Sequence, residues 1–121
     1  MKLNKPKHNL YRNGVYALEG FVDIVKNETS FKWQLLMLVV FGTISWILPI
    51  HFGYKAILFI SLFLPVLAEV TNSAIERVVD LVTQDYHILA KQAKDVGATL
   101  VLLSLIVTTL IWVFTLISAL S

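Results

Sequence analysis

The chain contains no cysteine, which excludes disulfides and thiolate metal sites and leaves the redox compartment open. Charge is also scarce: 15% of the 121 residues are Asp, Glu, Lys or Arg, and a formal net charge of +2 is too small to argue for nucleic-acid binding. The soluble phosphotransfer and nucleotide-binding signatures are missing. There is no G-x-x-x-x-G-K-[ST], no G-x-G-x-x-G and no H-R-D segment. Nor is there an internal repeat or a low-complexity tract, and residues 2–13 are too polar for the apolar region of a signal peptide. What the chain has instead is apolar surface: 57% of its residues are hydrophobic, with a mean hydropathy of +0.75. That exceeds the share usual in soluble domains and points to an all-α membrane protein, with residues 1–121 forming one domain.

In chain order, residues 1–9 carry Lys2, Lys5, Pro6, Lys7 and His8, a loose basic arm suited to anionic headgroups. Over residues 10–26, Leu10, Gly14, Ala17, Leu18, Phe21, Val22 and Val25 recur at spacings of three and four, opposite Arg12, Glu19, Asp23 and Lys26. This is the pattern of an amphipathic surface helix too charged to span. Ser30 and Asn27 are candidate N-caps for a span over about residues 31–50, with Trp33 and Trp46 as interfacial aromatics near its ends. Pro49, His51 and Gly53 then form a turn. A second span over residues 56–82 must continue through acidic residues to be long enough, and Pro65 lies inside it as a candidate kink. After the polar break Thr83-Gln84-Asp85-Tyr86-His87, a third span runs over residues 96–120. Nine of the ten basic residues fall on one side of these spans, with Lys55 alone on the other. The positive-inside rule therefore makes the N-terminus cytoplasmic.

The second span holds the acids. At about 100° per residue, Asn72, Glu76 and Asp80 lie at about 300°, 340° and 20° from Glu69, so all four share one face. With Lys55 at the far edge and a rise of ~1.5 Å per residue, Glu69 lies roughly 21 Å in, Glu76 roughly 31 Å and Asp80 roughly 37 Å, against a hydrocarbon core of ~30 Å. Glu28, the Glu69 to Asp80 face and Lys94-Asp95 thus meet at the cytoplasmic boundary. Magnesium prefers one or two carboxylates with phosphate oxygens and water, which fits Glu28 and Glu76 receiving a nucleotide. Lys94, near a helix start, suits a phosphate. Glu69 lies deeper and suits a general base whose proton donor is lipid-like.

Each group also has a plain structural use. Glu69, Glu76 and Asp80 can seal a bundle by pairing with Arg77, Lys91 or Lys94. On the same reading Glu28 is a first-turn acid, His87 a surface group, and Lys91 and Lys94 positive-inside anchors. A small proton-coupled transporter would use Glu69 as a proton carrier but leaves Glu28, Glu76 and Lys94 without a task. A passive membrane assembly subunit would use none of them.

Glu69-Val70-Thr71-Asn72-Ser73-Ala74-Ile75-Glu76-Arg77-Val78-Val79-Asp80, followed by Asp85-Tyr86-His87 and Ala93-Lys94-Asp95-Val96-Gly97, resembles the signature of the prokaryotic diacylglycerol kinase family, small integral-membrane lipid kinases. The resemblance covers most of the chain. It implies phosphorylation of the primary hydroxyl of diacylglycerol by ATP with Mg2+, giving phosphatidate, in the bacterial cytoplasmic (inner) membrane. It also implies a homotrimeric bundle with sites between subunits. By position it makes Glu69 the base, places Asn72 beside the acceptor and assigns Glu28 and Glu76 to metal and ATP. Tyr16, Asp85, Tyr86, His87, Lys94 and Asp95 fall to the nucleotide. The surface helix departs from the pattern: Leu18 stands where some relatives have tryptophan, and Asn9 where they have arginine, with Arg12 or Lys7 as candidate substitutes. Tyr16-Ala17-Leu18-Glu19-Gly20 is also similar to the undecaprenol kinase branch of the same fold, whereas Asn72-Ser73 and Asp95-Val96-Gly97 resemble the diacylglycerol enzymes.

Overall fold

A computed structural model describes residues 9–121, so the basic arm with Lys2, Lys5, Lys7 and His8 lies outside the described residues. Every regular element among the described residues is an α-helix. Helix α1 spans Leu10–Asn27. It is opened by Asn9, whose side-chain oxygen accepts the N–H groups of Tyr11 (2.9 Å) and Arg12 (3.4 Å), satisfying two donors that a helix start leaves free. Asn9 is thus the N-cap of α1. One extended residue, Glu28 (φ −117°, ψ 108°), separates α1 from α2, which spans Thr29–Ile47. Its N–H closes α1 on the Ile24 carbonyl and its carbonyl accepts the first α2 bond from Lys32. The cap of α2 is therefore Glu28, not Ser30 or Asn27. The Asn27 amide turns back to Asp23, and the Ser30 hydroxyl crosses to another helix. Phe21 and Phe31 meet edge to face across the corner, with Phe31 fully buried.

Helix α2 ends at Ile47, ahead of the expected residue 50, because Pro49 drives Leu48 out of the helical region (φ −65°, ψ 141°). Lys55 reaches back from the first turn of the following helix to cap the Trp46 carbonyl at 3.0 Å. Trp46, Phe52, Phe59 and Phe63 form a chain of ring contacts at this end. Gly42 lets it close, since a Cβ there would stand 3.3 Å from the Phe59 ring.

The second long apolar segment is a helix broken once: α3 covers Phe52–Ser61, α4 covers Phe63–Val82, and Leu62 lies between. The break has a backbone cause. Pro65 has no N–H to give the Ser61 carbonyl four residues back, and the Leu62 N–H turns to Phe59. Two carbonyls lose their helical partners, and the next helix supplies replacements. Thr108 donates its hydroxyl to the Ser61 carbonyl at 3.0 Å, and the Trp112 indole N–H reaches the Leu58 carbonyl at 3.2 Å and the Ser61 hydroxyl at 3.1 Å. Replacing Thr108 by valine leaves a buried acceptor unpaired and should cost about 1–3 kcal/mol in detergent unfolding, whereas serine there should cost far less.

Helix α5 spans Ile88–Leu120 and packs most extensively on α4. It starts well before the expected residue 96, because nothing in residues 88–95 breaks a helix and the His87 imidazole caps its start by accepting the Leu89 N–H at 3.1 Å. Thirty-three residues make a rod of ~50 Å, longer than the ~30 Å hydrocarbon core. Three segments, Thr29–Ile47, Phe52–Val82 and Ile88–Leu120, are long and apolar enough to cross a membrane. Large apolar side chains such as Val39, Leu102 and Ile117 point outward from the bundle.

Candidate functional site

The buried residues of α4 are Pro65, Ala68, Glu69, Asn72 and Ser73, at the three-and-four spacing of a helix stripe that faces its own bundle. Three of the five are polar. Exposure then rises along the acidic face: Glu69 is 9% exposed and Asn72 7%, Glu76 is half-buried and Asp80 is exposed. The face thus runs from a buried interior to an open rim.

Two serine–carboxylate pairs cross between the α1–α2 corner and α4. Ser30 of α2 donates to Glu69 Oε1 at 2.8 Å, and Ser73 of α4 donates to Glu28 Oε1, also at 2.8 Å. Asn72 sits between them and donates its amide to Glu76 Oε1 at 3.2 Å. Its own carbonyl oxygen is buried without a hydrogen bond and lies against Gly97 of α5, where an added Cβ would come within 2.3 Å. The sequence shows Gly97 as part of a motif, but only the α4–α5 approach reveals why a side chain is excluded there.

The cations divide the carboxylates into two kinds. Arg77 straps the corner to α4, with Nη1 on Asp23 at 2.7 Å and Nη2 on Glu28 at 3.2 Å. The Arg77 hydrogen bond, seconded by the Asn27 amide, holds the Asp23 carboxyl below its ordinary range. A lowered pKa means that this tie is present at neutral pH and is lost as pH falls through the depressed value. Lys94 pairs with Asp80 at 2.7 Å, and Lys91 with Asp95 at 2.6 Å. Among the described residues, Glu69 and Glu76 form no ion pair. Bundle sealing thus describes Asp80 but not the two glutamates beside Asn72. Periodicity puts Asp23 on the polar face of α1, and nothing local signals its tie to a residue 54 positions away.

The other expected site residues stand farther out. Asp85, Tyr86 and His87 lie in the exposed turn between α4 and α5, where the Asp85 N–H bonds Thr83 and His87 caps α5. Asp95 is exposed and bound to its own helix, and Tyr16 is half-buried on α1. None of these is hydrogen-bonded to Glu69, Asn72 or Glu76. Lys94 is closer, near enough to Glu76 to feel its charge.

Glu28 and Glu76 suit magnesium by donor chemistry, because the hydrogen bonds they accept fall on Oε1 in both cases, leaving one oxygen of each carboxylate without a donor among the described residues. Among the described residues no three His, Asp or Glu side chains group to hold a metal by themselves. An ion here would draw its remaining ligands from phosphate and water.

Comparison with known proteins follows the same residues. The sequence model of the family described as prokaryotic diacylglycerol kinase matches residues 15–116, which take in the α1–α2 corner, the acidic face of α4 and Lys94 to Gly97. The diacylglycerol kinase of Pseudomonas aeruginosa is 34% identical over 97 residues, covering 80% of this chain and 79% of that protein. That of Escherichia coli K12 is 32% identical over 97 residues, covering 80% of each, and that of Haemophilus influenzae is 32% identical over 105 residues, covering 86% of this chain and 88% of the relative. With a match across the corner, the polar stripe and the start of α5 together, the chain belongs to the prokaryotic diacylglycerol kinase family.

Proposed function

We propose that the protein is an ATP- and Mg2+-dependent diacylglycerol kinase that phosphorylates its lipid at the cytoplasmic boundary of the inner membrane. The observation that carries the mechanism is Glu69: buried, held by a neutral hydroxyl and, among the described residues, without a cation. A carboxylate kept in that state is available to take a proton. In this reading Glu69 accepts the proton of the primary hydroxyl of diacylglycerol and Asn72 orients that hydroxyl. The alcohol oxygen bonds to the γ-phosphorus of ATP as the bond to ADP breaks, giving phosphatidate. Glu28 and Glu76 hold Mg2+, which when bound neutralises phosphate charge. Lys94 leaves Asp80 for a phosphate, with Tyr16, Asp85, Tyr86, His87 and Asp95 around the nucleotide.

The rest of the reading concerns setting. The whole chain acts as one domain with a cytoplasmic N-terminus, as the positive-inside distribution supports. Helix α1 lies along the membrane surface with its apolar side toward lipid. The long polar face of α4, which three helices have limited surface to hide, supports packing against other copies, and the family resemblance makes that assembly a homotrimer with sites between subunits.

The test is purified protein in mixed micelles with Mg-ATP and either acceptor. Phosphatidate should form from diacylglycerol, and chelation of Mg2+ should abolish it. Phosphorylation of undecaprenol alone would favour the branch to which Tyr16-Ala17-Leu18-Glu19-Gly20 is similar. No acceptor-dependent ATP consumption would overturn the kinase reading and leave the transporter or passive subunit.

A further inference from the structure

In this chain, helical hydroxyls are usually spent on their own helix. Thr43, Thr71, Thr99 and Thr109 each donate to the carbonyl four residues back, and three serines donate to the carbonyl three back. Such back-bonding is the ordinary use of these residues in a helix. Ser30 does otherwise. It is the second residue of α2, two positions after the extended Glu28, so no carbonyl of its own helix is stacked a turn behind it. The corner leaves its hydroxyl free, and it crosses 39 residues of sequence to Glu69 Oε1.

Among the described residues, this is the hydrogen bond that Glu69 accepts. Ser30 itself is exposed while Glu69 is buried, so the donor comes from the outer edge of the carboxylate. Fixing Oε1 leaves the second oxygen for a proton from the acceptor and removes the freedom of the carboxyl to rotate. Ser73 makes the matching bond to Glu28, so the two halves of the site have separate hydroxyl supports.

We propose that Ser30 is the positioning residue for Glu69, acting on the acceptor half of the reaction and not on the nucleotide half. The inference rests on the kinase reading above. Positioning matters because a base works only within hydrogen-bond reach of the proton it takes, and small misplacements at a reacting centre are costly.

The experiment measures kcat and the KM for each substrate in mixed micelles for wild type, Ser30→Ala, Ser30→Thr and Ser73→Ala. Ser30→Ala should lower kcat about tenfold, a part of the roughly 10²–10⁴ that a general base supplies, with the KM for Mg-ATP unchanged. Ser30→Thr retains the hydroxyl and should recover most of the rate. Ser73→Ala should raise the KM for Mg-ATP instead. In a Glu69→Gln background, Ser30→Ala should add no further loss. A wild-type kcat in Ser30→Ala, or a loss in Ser30→Thr as large as in Ser30→Ala, overturns the proposal while leaving an active kinase. An inactive wild type overturns the kinase reading and this proposal with it.

Discussion

Replacing Glu69 by glutamine is expected to lower kcat by about 10²–10⁴-fold, the range a general base contributes, while the protein stays folded. Glutamine keeps the volume of the side chain, and its amide oxygen can still accept the Ser30 hydroxyl now bound at 2.8 Å. What it loses is the capacity to take a proton. Stability should hold or rise slightly, since a buried carboxylate without a cation is costly to keep and a neutral amide is not. The measurement pairs the phosphatidate formation rate with the thermal unfolding midpoint in detergent. A near-normal rate would remove Glu69 from the chemistry, and a collapse of the midpoint would make it structural. Asp80, paired with Lys94 at the exposed rim, is the useful comparison. Asp80→Asn should cost far less activity than Glu69→Gln.

Gly97→Ala should be the most damaging small substitution in α5. In an isolated helix, alanine in place of glycine is worth about 1 kcal/mol in favour of folding. Here the new Cβ would stand 2.3 Å from the Asn72 side-chain oxygen, a separation that cannot persist. Asn72 is 7% exposed and is bound through its amide to Glu76, so relief requires breaking that bond or moving α5 from α4. Overpacking of this kind costs about 1–3 kcal/mol, enough to cancel the propensity gain. Activity should fall more than stability, because Asn72 is the group displaced. Gly14 and Gly20 provide the control: a Cβ at either meets nothing within 4 Å, so alanine there should be tolerated or mildly stabilising. If Gly97→Ala behaved like Gly20→Ala in rate and unfolding midpoint, the close approach would have no functional weight.

Much of the architecture is legible before any coordinates, because three apolar segments are long enough to cross a membrane whatever packs beside them. That Glu69, Asn72, Glu76 and Asp80 share one face is legible from helical period alone, while its burial at the Glu69 and Asn72 end follows from the cost of carboxylates in a membrane span. What periodicity misses is where tertiary needs override local preference. Ser30 and Asn27 have the side chains that usually cap helices, yet Glu28 takes the position and frees Ser30 for Glu69. Pro65 announces a disturbance, but the break falls at Leu62, where the missing N–H of Pro65 and the tightened Leu62 turn coincide. The Arg77 strap joins residues 54 and 49 positions apart, and no local pattern encodes either pairing. Gly97 is visible only as a letter in a motif until α4 and α5 are brought together.

The broken second span also constrains how the protein is assembled. Inside a bilayer, a carbonyl without a donor costs several kcal/mol, and no water is present to replace one. The Ser61 carbonyl receives the Thr108 hydroxyl, and Leu58 receives the Trp112 indole, both from a helix made later in the chain. As the chain is synthesised, the second span enters the membrane with its backbone incomplete. Its backbone hydrogen bonding is complete only when the third docks beside it, so the second span depends on tertiary packing for satisfaction that an unbroken helix would supply itself.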